Sequence, residues 1–148
     1  MSVDTVKLDE KINTACILFE DGNILYGHGF GSEGSVVGEL CFNTSMTGYQ
    51  EIMTDPSYAE QIITFTFPHI GNTGINTEDD ENKLISALAM IVTWDPTKAS
   101  NWRSQKQLSH WLKEQNKLGI GQIDTRYITR LIREKGAQNI AICSNNNG

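Results

Sequence analysis

The chain has 148 residues, 39% of them hydrophobic and 20% charged, which is typical of one folded domain and excludes a disordered or fibrous protein. No apolar run approaches the roughly 18 residues that a membrane-spanning helix needs. Residues 1–12 contain no hydrophobic core of a signal peptide. These features favour a cytoplasmic protein that contacts no membrane.

The net charge of −6 is unevenly distributed along the chain. Residues 1–81 contain 14 acidic residues and 2 lysines, whereas residues 82–148 contain 4 acidic and 10 basic residues. A solvated surface with pairing between the two halves accounts for this asymmetry. The alternative is that the basic C-terminal half binds an acidic protein or a nucleic acid.

The first half of the chain has the alternation and turn signals of strands. Ala15–Phe19 and Ile24–Phe30 flank the turn sequence Glu20–Asn23, which predicts a hairpin. Further predicted strands are Val36–Phe42, Gln61–Phe67, which Pro68 ends, and Ser86–Trp94. Glu78–Glu81 is predicted to be an exposed loop or the start of a helix.

After Pro96 the pattern changes to that of amphipathic helices. Ser104 is predicted to cap a helix, with Gln107 three positions on and an apolar stripe at Leu108, Trp111 and Leu112. A second predicted helix begins after the cap residue Asp124, buries Ile128, Leu131 and Ile132, and stops at Gly136. Ile140–Cys143 is a last short strand. Strands followed by helices indicate an α+β or layered sheet and helix domain.

Gly29–Gly34 matches the letters of the G-x-G-x-x-G dinucleotide fingerprint. That motif binds pyrophosphate at the N-terminus of a helix that opens directly after it. Here the following residues, Ser35–Leu40, have the pattern of a strand. We therefore expect a glycine turn between strands and no cofactor at this loop.

No complete catalytic site is visible in the sequence. No serine or cysteine lies in a nucleophile elbow, and the three histidines are isolated, without a second ligand at metal spacing. Cys16, Cys41 and Cys143 are widely separated within apolar segments, which predicts buried free thiols. The expectation is no catalytic residue, no metal and no cofactor. A small hydrolase that uses Ser57 with His69 remains an alternative.

The densest polar cluster runs from Asn43 to Tyr58, longer than an ordinary connection. Within it, Asp55-Pro56-Ser57-Tyr58 predicts a stiff turn, because the proline restricts φ and Asp55 can bond back to the backbone. Ser57 is thereby presented on a corner. Its hydroxyl either caps the turn locally or bonds to a small polar ligand.

The same cluster carries a family resemblance. The runs Phe42–Glu51, Thr54–Tyr58 and Phe67–Asn72 resemble the N-terminal domain of the small, glutamine-hydrolysing subunit of carbamoyl phosphate synthetase. Further matching runs are Ser100–Arg103, Ile123–Arg126 and Leu131–Ala137. The likeness extends from about Ala15 to Cys143.

The resemblance implies a layered β/β/α domain with mixed sheets, of α+β class, that does not itself catalyse. Family members continue into an amidotransferase domain whose Cys, His and Glu cleave L-glutamine, and the released ammonia reaches a large subunit that uses ATP and magnesium. The product, carbamoyl phosphate, serves pyrimidine and arginine synthesis. Ser57 matches the serine that helps to hold glutamine. The implied partners are the large subunit, the amidotransferase domain and L-glutamine.

The expected domain organisation follows from where the resemblance starts and stops. Residues 1–14 are predicted to be an N-terminal extension, residues 15–144 the small-subunit domain, and residues 145–148 the start of a linker. The alternative function is a stand-alone adaptor that binds an acidic protein or nucleic acid through the basic C-terminal half.

Overall fold

The computed structural model describes residues 14–44, 49–66, 84–93 and 99–145, with backbone only for residues 99–106. The strands in these ranges are β1 (Ala15–Phe19), β2 (Ile24–Gly31), β3 (Gly34–Asn43), β4 (Gln61–Phe65), β5 (Ala89–Val92), β6 (Leu118–Gly121) and β7 (Gln138–Ser144). The α-helices are α1 (Tyr49–Thr54), α2 (Ala99–Glu114) and α3 (Thr125–Lys135). Within the described residues, no helix is long and apolar enough to cross a membrane.

The seven strands form one closed barrel in the order β1-β2-β6-β5-β4-β3-β7. Strands β3 to β6 pair in parallel with one another, and the remaining pairs are antiparallel. The α+β class, the mixed sheet and the two helices in the C-terminal half are confirmed. Closure of the barrel was not predicted, because it depends on β7 pairing with β1 and β3, and local patterns carry no signal for such distant contacts.

In the described part of the chain, the buried apolar side chains form two clusters separated by the barrel wall. Strand β5 shows how alternation divides them, since Ala89 and Ile91 face the first cluster and Met90 and Val92 the second. The first cluster combines inward-facing strand residues with Ile128 and Leu131 of α3. The second lies on the outer face and includes Leu108 and other residues of α2. The described helices α2 and α3 thus each bury an apolar stripe against the sheet, as predicted.

The glycine motif of residues 29–34 spans the end of β2 and the start of β3. Gly31 and Gly34 adopt φ of 74° and 125°, conformations that favour glycine. A strand follows the turn, so the expectation of a glycine turn between strands is confirmed.

The predicted caps of α3 are confirmed, whereas the predicted N-cap of α2 is wrong. Asp124 accepts hydrogen bonds from the backbone N–H groups of Arg126 and Tyr127, at 3.1 and 3.3 Å, and Gly136 is the C-cap of α3 with φ 78°. The prediction that Ser104 caps α2 was wrong, because the helix already begins at Ala99. Ser and Gln three positions apart are tolerated inside a helix, so the pattern alone does not place its start.

Other boundaries also differ from the prediction. Within residues 86–93, the strand expected over Ser86–Trp94 is limited to β5, because the N–H groups of Ser86 and Ala87 bond to the carbonyl of Met53 and not to a neighbouring strand. Strand β6 and helix α1 were not predicted. The predictions for Phe67, Pro68, Glu78–Glu81 and Trp94 concern residues outside those that the structure describes.

Candidate functional site

The turn that contains Ser57 is a single 3-10 turn, Pro56–Tyr58, with Asp55 as its N-cap. The Asp55 carboxylate oxygen Oδ1 accepts a hydrogen bond from the Ser57 backbone N–H at 3.0 Å. The N–H of Ala59 bonds to the carbonyl of Pro56 at 3.1 Å and closes the turn. Ser57 is exposed, so a second module can reach its hydroxyl.

The turn is attached to the barrel through Tyr58. Its phenol oxygen accepts a hydrogen bond from the side-chain amide of Asn43, at the end of β3, at 3.2 Å. The Tyr58 ring also packs against the outer apolar cluster. The hydroxyl and the ring of Tyr58 are therefore both held in place. This restricts the backbone position of the neighbouring Ser57.

Helix α1 supports the turn from the N-terminal side. Tyr49 and Met53 are buried on one face of the helix, and the Tyr49 ring meets Trp111 of α2 edge-on, with centroids 6.4 Å apart. The carbonyl of Met53 accepts hydrogen bonds from the N–H groups of Ser86 and Ala87, at 2.8 and 3.1 Å. The i, i+4 spacing of Tyr49 and Met53 was the available signal for this helix.

Two of the thiols in the described residues, those of Cys41 and Cys16, ionise less readily than an ordinary cysteine because their pKa values are raised. Burial, with a smaller contribution from Glu39, raises the pKa of Cys41 to about 11, so this thiol stays protonated at neutral pH. Burial and the neighbouring Cys143 thiol raise the pKa of Cys16. All three cysteines are half-buried and not fully buried, which corrects the prediction of buried thiols, and all three lie on the outer side of the barrel wall.

The histidines offer no metal site in the described part of the chain. His110 Nε2 lies 2.8 Å from Glu114 Oε1 on the exposed side of α2, one helical turn away. His28 is half-buried on β2. His69, the partner in the hydrolase alternative, falls outside the described residues. Among those that are described, no three His, Cys, Asp or Glu side chains are placed to hold a metal ion.

A cavity of about 640 Å³ opens at the end of the barrel where the parallel strands finish. Thr66 follows β4 and Thr93 follows β5. The charged residues in the lining are Arg126 and Arg133 of α3 and the acidic cap residue Asp124. Neither Ser57 nor any other residue of its turn lines this cavity. The Ser57 corner and the cavity are therefore separate features of the molecule.

Residues 17–142 match the family described as carbamoyl-phosphate synthase small chain, CPSase domain. The chain belongs to this family. It is 56% identical over 135 residues to the carbamoyl phosphate synthase small chain of Ruegeria pomeroyi, which covers 91% of this chain and 35% of the relative. The small chain of Vibrio parahaemolyticus is 54% identical over 133 residues, with 90% and 35% coverage.

The chain thus spans about a third of the length of the carbamoyl phosphate synthase small chains that it matches. Among solved structures, a peptidase M28 precursor from Shewanella amazonensis is similar at a TM-score of 0.45 and 7% identity, over 87% of this chain and 33% of that protein. A likeness at that level supports no conclusion about fold or activity.

Proposed function

We propose that this chain is the non-catalytic part of a carbamoyl phosphate synthase small chain. In that role it completes the glutamine site and docks against the amidotransferase domain and the large subunit. The observation that carries the proposal is that residues 17–142 match the small-chain family. The matched chain is only about a third as long as its relatives. The described thiols, two of them with raised pKa values, agree with a nucleophile located elsewhere.

The chemistry belongs to the other parts of such an assembly. The amidotransferase domain supplies the cysteine that attacks the glutamine side-chain amide, forming a thioester and releasing ammonia. The large subunit combines the ammonia with bicarbonate and uses ATP and magnesium. On this proposal no residue of the present chain breaks a bond, and the assembly works in the cytoplasm.

Ser57 is the residue that we expect to contact glutamine. Its hydroxyl is exposed, while its backbone is held by Asp55 and by the neighbouring Tyr58. A hydroxyl fixed in this way loses little conformational entropy when it bonds to a polar ligand. The contact adds affinity for glutamine and leaves the steps after ammonia release unaffected.

The test is Ser57→Ala in a full-length small chain assembled with its large subunit. Loss of one hydrogen bond costs about 0.5–1.5 kcal/mol, so the KM for glutamine should rise about 2- to 12-fold. Synthesis with ammonia as nitrogen donor should keep its wild-type rate. Ser35→Ala, at an exposed serine on β3, is the matched control and should change neither activity. An equal loss with ammonia would show that Ser57 is structural.

A second experiment separates this proposal from the adaptor alternative. The isolated chain should hydrolyse no glutamine but should form a complex with the large subunit in size-exclusion chromatography. Tight binding to random DNA that weakens steeply with salt would instead favour the adaptor. The comparisons with known proteins give that alternative no support.

A further inference from the structure

Cys16 and Cys143 are neighbours across two antiparallel strands, although 126 residues lie between them in the chain. Cys16 of β1 is the direct register partner of Cys143 of β7. Their strand neighbours Ile17 and Ile142 face the interior cluster, so both thiols project from the outer surface of the barrel. Each cysteine is free and half-buried, and solvent reaches both.

The two thiols also influence each other electrostatically. After burial, the neighbouring Cys143 thiol is a further cause that raises the pKa of Cys16. Cys41, the third cysteine, is on β3 and packs against the outer apolar cluster with α2. On the other sides of the pair, Cys16 is flanked by Tyr26 of β2, and Cys143 by Ser35 of β3. The pair therefore has no competing thiol among its register partners.

We propose that Cys16 and Cys143 form a reversible disulfide that fastens β7 to β1. Directly opposed residues of antiparallel strands have Cα atoms about 4.5–5.5 Å apart, within the 4.4–6.8 Å span that a disulfide bridges. Their Cβ atoms leave the sheet on the same face. The Cβ atoms of directly opposed residues are about 4.5–5.5 Å apart, against roughly 3.5–4.5 Å in a disulfide, so the two strands need to approach by no more than about 1 Å before the sulfur atoms can bond.

The oxidant is a low-molecular-weight disulfide such as glutathione disulfide. One cysteine loses its proton, and its thiolate attacks a sulfur of the oxidant, releasing one glutathione thiolate and leaving a mixed disulfide. The thiolate of the second cysteine then attacks the protein sulfur and releases the second glutathione. Two protein thiols are oxidised, one disulfide is reduced to two thiols, and the protons are transferred to the glutathione products.

The location of the pair gives the cross-link a structural effect. Strand β7 lies between β1 and β3, so barrel closure depends on it. The N–H of Asn145 bonds to the carbonyl of Thr14 at 2.8 Å, two residues along the chain from each cysteine of the pair. A covalent bond there joins the two ends of the described domain and closes a loop that contains nearly all of its residues. Such a loop constrains the unfolded chain strongly.

The test treats the 148-residue chain with glutathione disulfide and then maps its disulfides by proteolysis and mass spectrometry. The expected result is one intramolecular Cys16–Cys143 cross-link, with Cys41 still reduced, and full reversal by dithiothreitol. The oxidised protein should melt about 10 °C higher than the reduced protein. The matched variant Cys41→Ser should behave like the wild type, whereas Cys16→Ser and Cys143→Ser should lose both effects.

The mapping of the wild-type chain decides the proposal even where a serine variant fails to fold. Cross-links that include Cys41, disulfide-linked dimers, or stable mixed disulfides with glutathione at Cys16 and Cys143 would each overturn it. The proposal would also be overturned if the oxidised chain carried the correct cross-link but melted at the same temperature as the reduced chain.

Discussion

The ring of Phe30 on β2 lies over the backbone of Gly119, its register partner on β6. A Cβ atom added at Gly119 would meet the Phe30 ring atoms Cζ and Cδ2 at 2.6 and 2.8 Å, closer than real Cβ contacts. Phe30 is only 2% exposed, since it belongs to the outer cluster with Leu108 and Trp111 of α2. Because glycine has no side chain, Gly119 leaves space for the Phe30 ring, and α2 packs against that ring.

Gly119→Ala should lower the free energy of unfolding by about 1–3 kcal/mol, because the aromatic ring must leave its position or strain the sheet. Urea denaturation measures the change. In the double variant with Phe30→Leu, the smaller side chain leaves room for the new methyl group, so the two effects should be clearly non-additive. Additive effects would mean that Phe30 and residue 119 do not compete for the same space.

Asp124 is expected to set the stability of α3. Its carboxylate satisfies two N–H groups at the first turn, and the helix then carries Ile128 and Leu131 into the interior cluster. Asp124→Ala should cost about 1 kcal/mol in thermal or urea unfolding. Asp124→Asn keeps an oxygen acceptor at the cap position and is the control, with a loss of a few tenths of a kcal/mol. Equal losses in both variants would contradict a capping role.

The capping motif of α3 shows what local sequence information predicts well. Asp124, Gly136 and the apolar stripe between them are all within a dozen residues, and the helix was predicted with both ends. The turn at Ser57 is equally local, and its Asp55 bond is present as expected. Features of this kind depend on contacts between near neighbours in the chain.

The remaining differences arise where distant residues determine the structure. Strand β6 is only Leu118–Gly121, and half of its residues are glycine, which has a low strand propensity. A glycine is needed at position 119 because the Phe30 ring occupies the space of a side chain. The contact between Cys16 and Cys143 depends on the same long-range closure of the barrel. The role of Ser57 remains a prediction, since its proposed ligand contacts involve parts of the assembly outside this chain.

A pH-dependent contact joins the first hairpin to α3. The backbone N–H of Asn23 bonds to Asp21 Oδ1 at 2.9 Å, and Lys135 Nζ lies 3.4 Å from Asp21 Oδ2. The Asn23 N–H first, and Lys135 to a lesser extent, lower the pKa of Asp21 below its ordinary value of 3.8. The contact also pairs an acidic residue of the first half with a basic residue of the second.

Because folding lowers the pKa of Asp21, its contribution to stability is present above pH 3.8 and is lost as the pH falls through the lower pKa of the folded state. A ¹³C-detected titration of the side chain should give a midpoint below 3.8. The stability difference between the wild type and Asp21→Asn should also shrink on acidification. A midpoint at or above the ordinary value would contradict the contact.

Asp55 should act on the proposed glutamine site only through Ser57. Its carboxylate holds the Ser57 N–H at 3.0 Å and does not itself need to meet the ligand. In a full-length small chain with its large subunit, Asp55→Ala should raise the KM for glutamine less than Ser57→Ala does, and should leave ammonia-dependent synthesis unchanged. Asp55→Asn retains an acceptor oxygen and should restore most of the affinity.

The double variant distinguishes positioning from direct contact. If Asp55 acts by orienting Ser57, then its removal changes little once the Ser57 hydroxyl is absent, and Asp55→Ala combined with Ser57→Ala should have the KM of Ser57→Ala alone. Two independent increases that multiply would mean that Asp55 contacts glutamine itself or supports another residue that does. Urea denaturation should give the same free energy of unfolding for these variants as for the wild type. That result would show that the substitutions change the exposed turn and not the barrel.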